Sequence, residues 1–246
     1  MNNIISNIAV LSVLGAVISA HMVIESPTPR VEANGGADMK RPMGSVGSIV
    51  GNNIPPGLVN GPNGTPSGRD GDLPICKSDK KSPIVEVKAG EPLKVKFLQN
   101  NAAHSGGHCE FSLSYDNGKE FVVIHQVLKT CFKKTVPPVG DGNLMEVSEY
   151  DIPFPADLPS GEAIFSWTWV NASGNREFYM NCIDVKITGK EGGSYKGKKM
   201  LIVNHPSLGT NVIPEFGGNY ETGLDLYKAQ PEITVTANGT SGGSGG

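Results

Sequence analysis

The chain has 246 residues, enough for one or two domains, and its 21 Lys and Arg against 24 Asp and Glu give a net charge of −3. That balance excludes the basic surface of a nucleic-acid-binding protein. With 32 Gly and 18 Pro, the composition favours short strands and turns over long helices.

Met1–Ala20 carries no charged side chain, and Ile8–Val17 is an apolar or small run interrupted by one Ser. The run is too short to span a membrane, which takes about 20 apolar residues. It suits the apolar centre of a secretory signal, and Ala20 supplies the small residue of a cleavage junction. Residues 1–20 therefore read as a signal peptide. The mature chain is expected to start at His21, to be extracellular and to have no membrane span.

Residues 31–75 hold ten Gly and six Pro and no aromatic ring, and read as one long irregular loop. A possible short edge strand, Ile24–Ser26, precedes it. From Pro83 to Thr188 the signals are β: Ile84–Val87, Leu93–Phe97, Glu110–Tyr115, Glu120–Ile124, Glu162–Val170 and Phe178–Ile187 are apolar, β-branched or alternating. Asp116-Asn117-Gly118 marks a hairpin turn. The spacing of breakers is that of an all-β antiparallel sandwich. Beyond Gly189, Met200–Val203 and Ile233–Thr236 are further candidate strands. The sequence thus divides into a sandwich domain over 21–189, a C-terminal extension over 190–239 packed on or near it, and a Gly/Ser linker or tail over 240–246.

Four Cys in an exported chain suggest two disulfides, with three possible connectivities. Asn63, Asn171 and Asn238 begin Asn-x-Ser/Thr triplets and are candidate glycosylation sites.

A signal cleaved before His21 gives that residue two nitrogen donors, the α-amine and the imidazole. Both titrate near neutrality, at roughly 7.7–8.0 and 6.5. One more imidazole completes a planar three-nitrogen set, the ligation that suits Cu(II). Candidates lie in Asn101-Ala-Ala-His104-Ser-Gly-Gly-His108-Cys109. His104 and His108 have the spacing of a helical zinc pair, but Ser105-Gly106-Gly107 argues against a helix. A third segment runs from Trp167-Thr-Trp169 through Asn175-Arg176-Glu177-Phe178-Tyr179-Met180-Asn181-Cys182.

Together these segments resemble the fungal lytic polysaccharide monooxygenases of auxiliary activity family eleven. The resemblance covers His21-Met22 with Ser26-Pro27-x-Pro29, His104 to Cys109, and Trp167 to Cys182. It implies an immunoglobulin- or fibronectin-like antiparallel β-sandwich and one copper ion held by His21 and His104. Tyr179 is the axial residue and Glu177 a neighbouring carboxylate that orients water or an oxygen species. Ala102 is the small residue that crowds the distal axial face. The resemblance assigns no ligand role to His108, His125 or His205. Cys109 and Cys131 flank the Asn117-Gly118 hairpin, which favours Cys109–Cys131 and leaves Cys76–Cys182 to tie the long arm to the strand bearing Tyr179.

The implied activity is oxidative cleavage of a crystalline polysaccharide, chitin by resemblance. It uses an external electron donor and O2 or hydrogen peroxide, and a monomer is expected. Two other readings stand beside it: a non-enzymatic copper-binding or cell-wall-associated sandwich with the same histidine brace, and a structural carbohydrate-binding sandwich without copper.

Overall fold

A computed structural model describes residues 22–30, 44–45, 75–76, 78, 80–99, 102–205, 211–237 and 239–241. His21, Asn63, Asn238, residues 1–20 and most of the 31–75 segment lie outside the described residues.

Alternating and β-branched segments build the strands. They are β1 (Ile24–Ser26), β2 (Gly44–Ser45), β3 (Val85–Lys88), β4 (Pro92–Phe97), β5 (Gly107–Ser114), β6 (Val122–Val127), β7 (Glu149–Pro153), β8 (Gly161–Asn171), β9 (Glu177–Thr188), β10 (Ser194–Lys198), β11 (Glu232–Thr236) and β12 (Gly239–Ser241). One short helix, α1 (Leu224–Lys228), interrupts them. Among the described residues no helix is long and apolar enough to cross a membrane.

The small sheet has the order β1-β4-β7, and the large one β2-β9-β8-β5-β6. Pairing is antiparallel except for β3, which runs parallel along the far end of β9. Phe97 of β4 meets Trp167 of β8 edge to face at 4.9 Å. This contact lies in one core that contains Ile24, Val95 and Ile152 of the small sheet and Phe111, Phe165, Trp169 and Tyr179 of the large one. The two sheets therefore pack face to face as a β-sandwich. A fully buried Phe such as Phe97 contributes roughly 1.5–3 kcal/mol.

The second face of the large sheet is covered as well. Val170, Phe178, Met180 and Cys182 point away from the sandwich core into a second cluster with Met200, Val203, Ile213, Phe216, Tyr220, Leu224 and Tyr227. Strand β5 is consequently buried along its whole length. The covering residues, from Met200 to Tyr227, lie between β10 and β11 of a third sheet, β10-β11-β12, whose Ile233 and Val235 join the sandwich core.

The strand pattern departs from the sequence expectation in places. Met200–Val203 forms no regular strand, because its backbone is taken up elsewhere: Met200 N–H donates to Phe121 O at 2.8 Å and Leu201 N–H to the Glu110 carboxylate at 2.9 Å. Strands β7 and β10 were not anticipated. β7 is rich in acidic residues, whose β-propensity is low, yet its exposed Asp151 lies 3.2 Å from Lys94 across the sheet. Asn171, one of the candidate glycosylation sites, has a fully buried side chain. Its Nδ2 donates to Ser173 O at 2.7 Å and Asn175 O at 2.9 Å. A glycan there would break both bonds and drag the residue out of the interior.

The disulfides are Cys109–Cys131 and Cys76–Cys182, with sequence separations of 22 and 106. By loop entropy they contribute about 3 and about 5 kcal/mol.

Candidate metal centre

The candidate centre is built on one row of the large sheet. Register places Cys109 of β5 opposite Trp169 of β8, and Trp169 opposite Tyr179 of β9. All three face the sandwich core. Trp169 serves as a platform: its ring lies 4.7 Å from that of Tyr179 and 6.0 Å from that of His104. In this way a strand residue and a loop residue 75 positions apart in sequence border the same indole.

Glu177 shares the face of Tyr179, as a two-residue repeat requires. The Tyr179 hydroxyl donates to Glu177 Oε2 at 2.7 Å. Both side chains are buried. Asn181, two residues further on the same face, accepts the Ile24 N–H at 3.0 Å, and Leu98 N–H donates to Val23 O at 3.0 Å. Met22 is buried in the same core as Ala102, Trp169 and Tyr179. The chain immediately after His21 is thus pinned to the strand that carries Tyr179 and Glu177.

His104 is set by an unusual turn. His104, Ser105, Gly106 and Gly107 all have positive φ, at 42°, 63°, 96° and 132°. Two consecutive non-glycine residues in the left-handed region cost about 1–2 kcal/mol each, so neighbours must hold the turn. Ala103 N–H donates to Asn143 O at 3.0 Å, Ser105 N–H to Gly142 O at 2.9 Å, and Ser173 N–H to His104 O at 3.0 Å. Trp169 Nε1 donates to Gly106 O at 3.2 Å. Gly107 must be glycine, since a Cβ there would lie 2.0 Å from Val170 O. The residues on either side of those two carbonyls are held in turn by Lys133, a buried cation that donates to Asp141 O at 3.3 Å and Leu144 O at 2.9 Å and lies 2.9 Å from Glu146.

Arg176, the residue before Glu177, is wholly buried. Its guanidinium donates to the carbonyls of Ile213 (3.1 Å), Gly174 (3.0 Å), Asn175 (3.3 Å) and Asn171. Burial pushes its pKa down to about 10, with Glu215, Glu177 and Tyr179 opposing the shift. It anchors the 171–175 loop to the C-terminal segment.

His108 is a structural residue. Its Nδ1 accepts the Lys129 N–H at 2.9 Å, and Nε2 lies 2.9 Å from Thr222 O. An amide can only donate and a carbonyl only accept, so the ring is neutral with its proton on Nε2. Its ring lies between Phe216 and Tyr227, at 4.8 and 4.9 Å. His125 pairs with Phe111 across β5 and β6, and His205 packs near Phe178.

Among the described residues no group of three or more His, Cys, Asp or Glu is placed to hold a metal. The described donors nonetheless fit a copper centre completed by His21. They are one imidazole, on a turn braced from several sides, and a phenol hydrogen-bonded to a carboxylate on the strand that anchors Ile24. Sequence reading missed Asn181, Lys133 and Glu110. Asn181 was findable, because it continues the two-residue repeat of Glu177 and Tyr179.

No protein-family model matches the chain. AA11 family lytic polysaccharide monooxygenase A of Aspergillus fumigatus is 44% identical over 95 residues, which are 39% of this chain and 37% of the relative. An AA11 family lytic polysaccharide monooxygenase of Aspergillus oryzae is 30% identical over 192 residues, 70% of this chain and 44% of the relative. The chain therefore spans less than half the length of these curated relatives. A solved lytic polysaccharide monooxygenase important for chitin utilization in Cellvibrio japonicus is 14% identical with a TM-score of 0.39, over 67% of this chain and 98% of that one. A likeness of that size carries no argument. The sequence relatives do: over its matched region this chain is homologous to the AA11 family of lytic polysaccharide monooxygenases.

Proposed function

We propose that the protein is a secreted, copper-dependent lytic polysaccharide monooxygenase that cleaves glycosidic bonds of a crystalline polysaccharide, with chitin as the substrate class. The observation that carries the reading is the Tyr179–Glu177 hydrogen bond at 2.7 Å, set against the Trp169 platform that also meets His104. Homology to AA11 enzymes supports it.

In this reading His21, through its α-amine and imidazole, and His104, through Nε2, hold the copper. Bound copper supplies one-electron redox chemistry, by which O2 or hydrogen peroxide and an external electron donor hydroxylate a glycosidic carbon. The protein's own groups supply geometry and proton control. The Tyr179 phenol would border the metal and shield it from water on that side. Its hydroxyl donates to Glu177 and orients the carboxylate. Glu177 is the group placed to hold or pass a proton beside the metal. Ala102, buried in the loop between β4 and β5, would keep the space beside the metal narrow. The protein acts in this reading as a monomer on an extended polysaccharide surface.

The test is incubation of mature protein with β-chitin, copper and ascorbate, followed by mass spectrometry of the soluble fraction. Oxidised chito-oligosaccharides are expected. Tight copper binding without oxidised sugars would favour the non-enzymatic copper protein instead.

A further inference from the structure

The C-terminal segment from Ile213 to Tyr227 does more than cover the outer face of the large sheet. It closes on both loops that frame His104. On the 171–176 loop, Phe216 N–H donates to Ala172 O at 2.9 Å. Gly174 N–H donates to Glu215 Oε1 at 2.8 Å, and Arg176 Nε donates to Ile213 O at 3.1 Å. On the 104–108 loop, Tyr220 donates its hydroxyl to Ser105 O at 2.8 Å. The His104 turn is therefore gripped from two sides. Gly142 O and Asn143 O take the N–H groups of Ser105 and Ala103, while Tyr220 takes the carbonyl of Ser105.

The grip on the carbonyl matters because of the turn's conformation. With His104 and Ser105 both left-handed, relaxation of the Ser105 peptide toward ordinary φ would swing the backbone that carries the imidazole. A hydrogen bond to Ser105 O resists that rotation directly. Tyr220 is itself held: it is buried, and its ring packs edge to face on Phe216 at 5.6 Å. Burial raises its pKa above the ordinary phenol value, so the hydroxyl keeps the proton it donates.

We propose that Tyr220 is a positioning residue for His104, locking the left-handed turn that aims the imidazole into the metal centre. This rests on the copper reading above. The test compares wild type, Tyr220→Phe and Glu221→Gln, each with its mature N-terminus at His21. Tyr220→Phe keeps the ring and removes only the hydroxyl. Glu221→Gln removes the exposed Lys129–Glu221 ion pair beside Tyr220 and leaves the Tyr220–Ser105 hydrogen bond in place.

In metal-free protein, amide hydrogen exchange at Ser105 and Gly106 should accelerate about 3- to 10-fold in Tyr220→Phe, the size of one lost hydrogen bond, and stay unchanged in Glu221→Gln. With Cu(II) added, Tyr220→Phe should bind about 3- to 10-fold more weakly and show an altered copper hyperfine splitting, whereas Glu221→Gln should match wild type. Identical exchange and spectra in Tyr220→Phe and wild type overturn the proposal. Equal changes in both variants also overturn it, because general loosening of the segment would then suffice. If wild type itself shows no nitrogen-ligated Cu(II) signal, the copper reading falls, and the exchange comparison alone decides the role of Tyr220.

Discussion

Replacing His108 by Gln should flatten the acid side of the protein's stability profile. In the folded protein His108 is fully buried, and burial pushes its pKa down to about 4 from an ordinary 6.5. The Thr222 carbonyl opposes that shift, Lys129 and Arg176 add to it, and Glu221 works against it. The folded state thus keeps the ring neutral between about pH 6.5 and 4, while the unfolded chain takes up a proton. The unfolded state binds more protons in that window, so stability falls as the pH falls through it. The contribution is complete above pH 6.5 and gone below about pH 4. A displacement of roughly 2.5 pKa units corresponds to about 3 kcal/mol. At pH 7.5 wild type should be more stable than His108→Gln, which loses one of the two hydrogen bonds and the packing on Phe216 and Tyr227. That gap should shrink by about 3 kcal/mol by pH 4. Denaturant unfolding of both proteins at pH 7.5, 6, 5 and 4, with disulfides intact, measures it, since other titrating groups cancel in the difference. A gap that stays constant with pH would refute the neutral, buried imidazole.

Other outcomes follow from the same structure. Glu110→Ala removes the acceptor shared by Gln126, Gln230 and Leu201 N–H at 2.6–2.9 Å; it should cost about 3 kcal/mol or more and make the 199–230 segment sensitive to limited proteolysis. Glu177→Gln should keep copper affinity but lower the chitin-oxidising rate about 10²-fold, whereas Tyr179→Phe should keep copper and change its spectrum modestly. Peptide mapping of the protein made in a glycosylating host should find Asn171 without a glycan.

The inner face of the sandwich was legible in the sequence because it is apolar and alternates. Trp167, Trp169 and Tyr179 sit where a two-residue period puts them, and the Asn117-Gly118 hairpin sets β5 against β6. The outer face was not legible. His108, Glu110, Ser112, Ser166 and Thr168 are the polar half of that alternation, yet all are buried. Residues 199–230 supply partners to His108, Glu110 and Ser166, and they have no sustained period to announce a covering layer. Glu110 is the clearest case: burial raises its pKa, and three donors satisfy it. The same layer explains why Met200–Val203, an apolar run, is not a strand. The Asn171 triplet records neighbours in sequence and says nothing of the burial of its side chain. At the candidate site, Glu177 and Tyr179 could be paired by parity alone. The left-handed turn at His104 could not, because its supports, Lys133 and Tyr220, lie 29 and 116 residues away in sequence and reach it through backbone carbonyls.

The central claim is that a terminal His21 and His104 together hold a catalytic copper beside Tyr179 and Glu177. Its most direct test compares two preparations that differ by one residue: mature protein starting at His21, and the same protein with a single Ala ahead of it. The extra residue leaves every imidazole in place and only moves the α-amine. With copper, ascorbate and β-chitin, the His21-terminal protein should release oxidised chito-oligosaccharides and the extended protein should release almost none. Equal product from both would contradict the account.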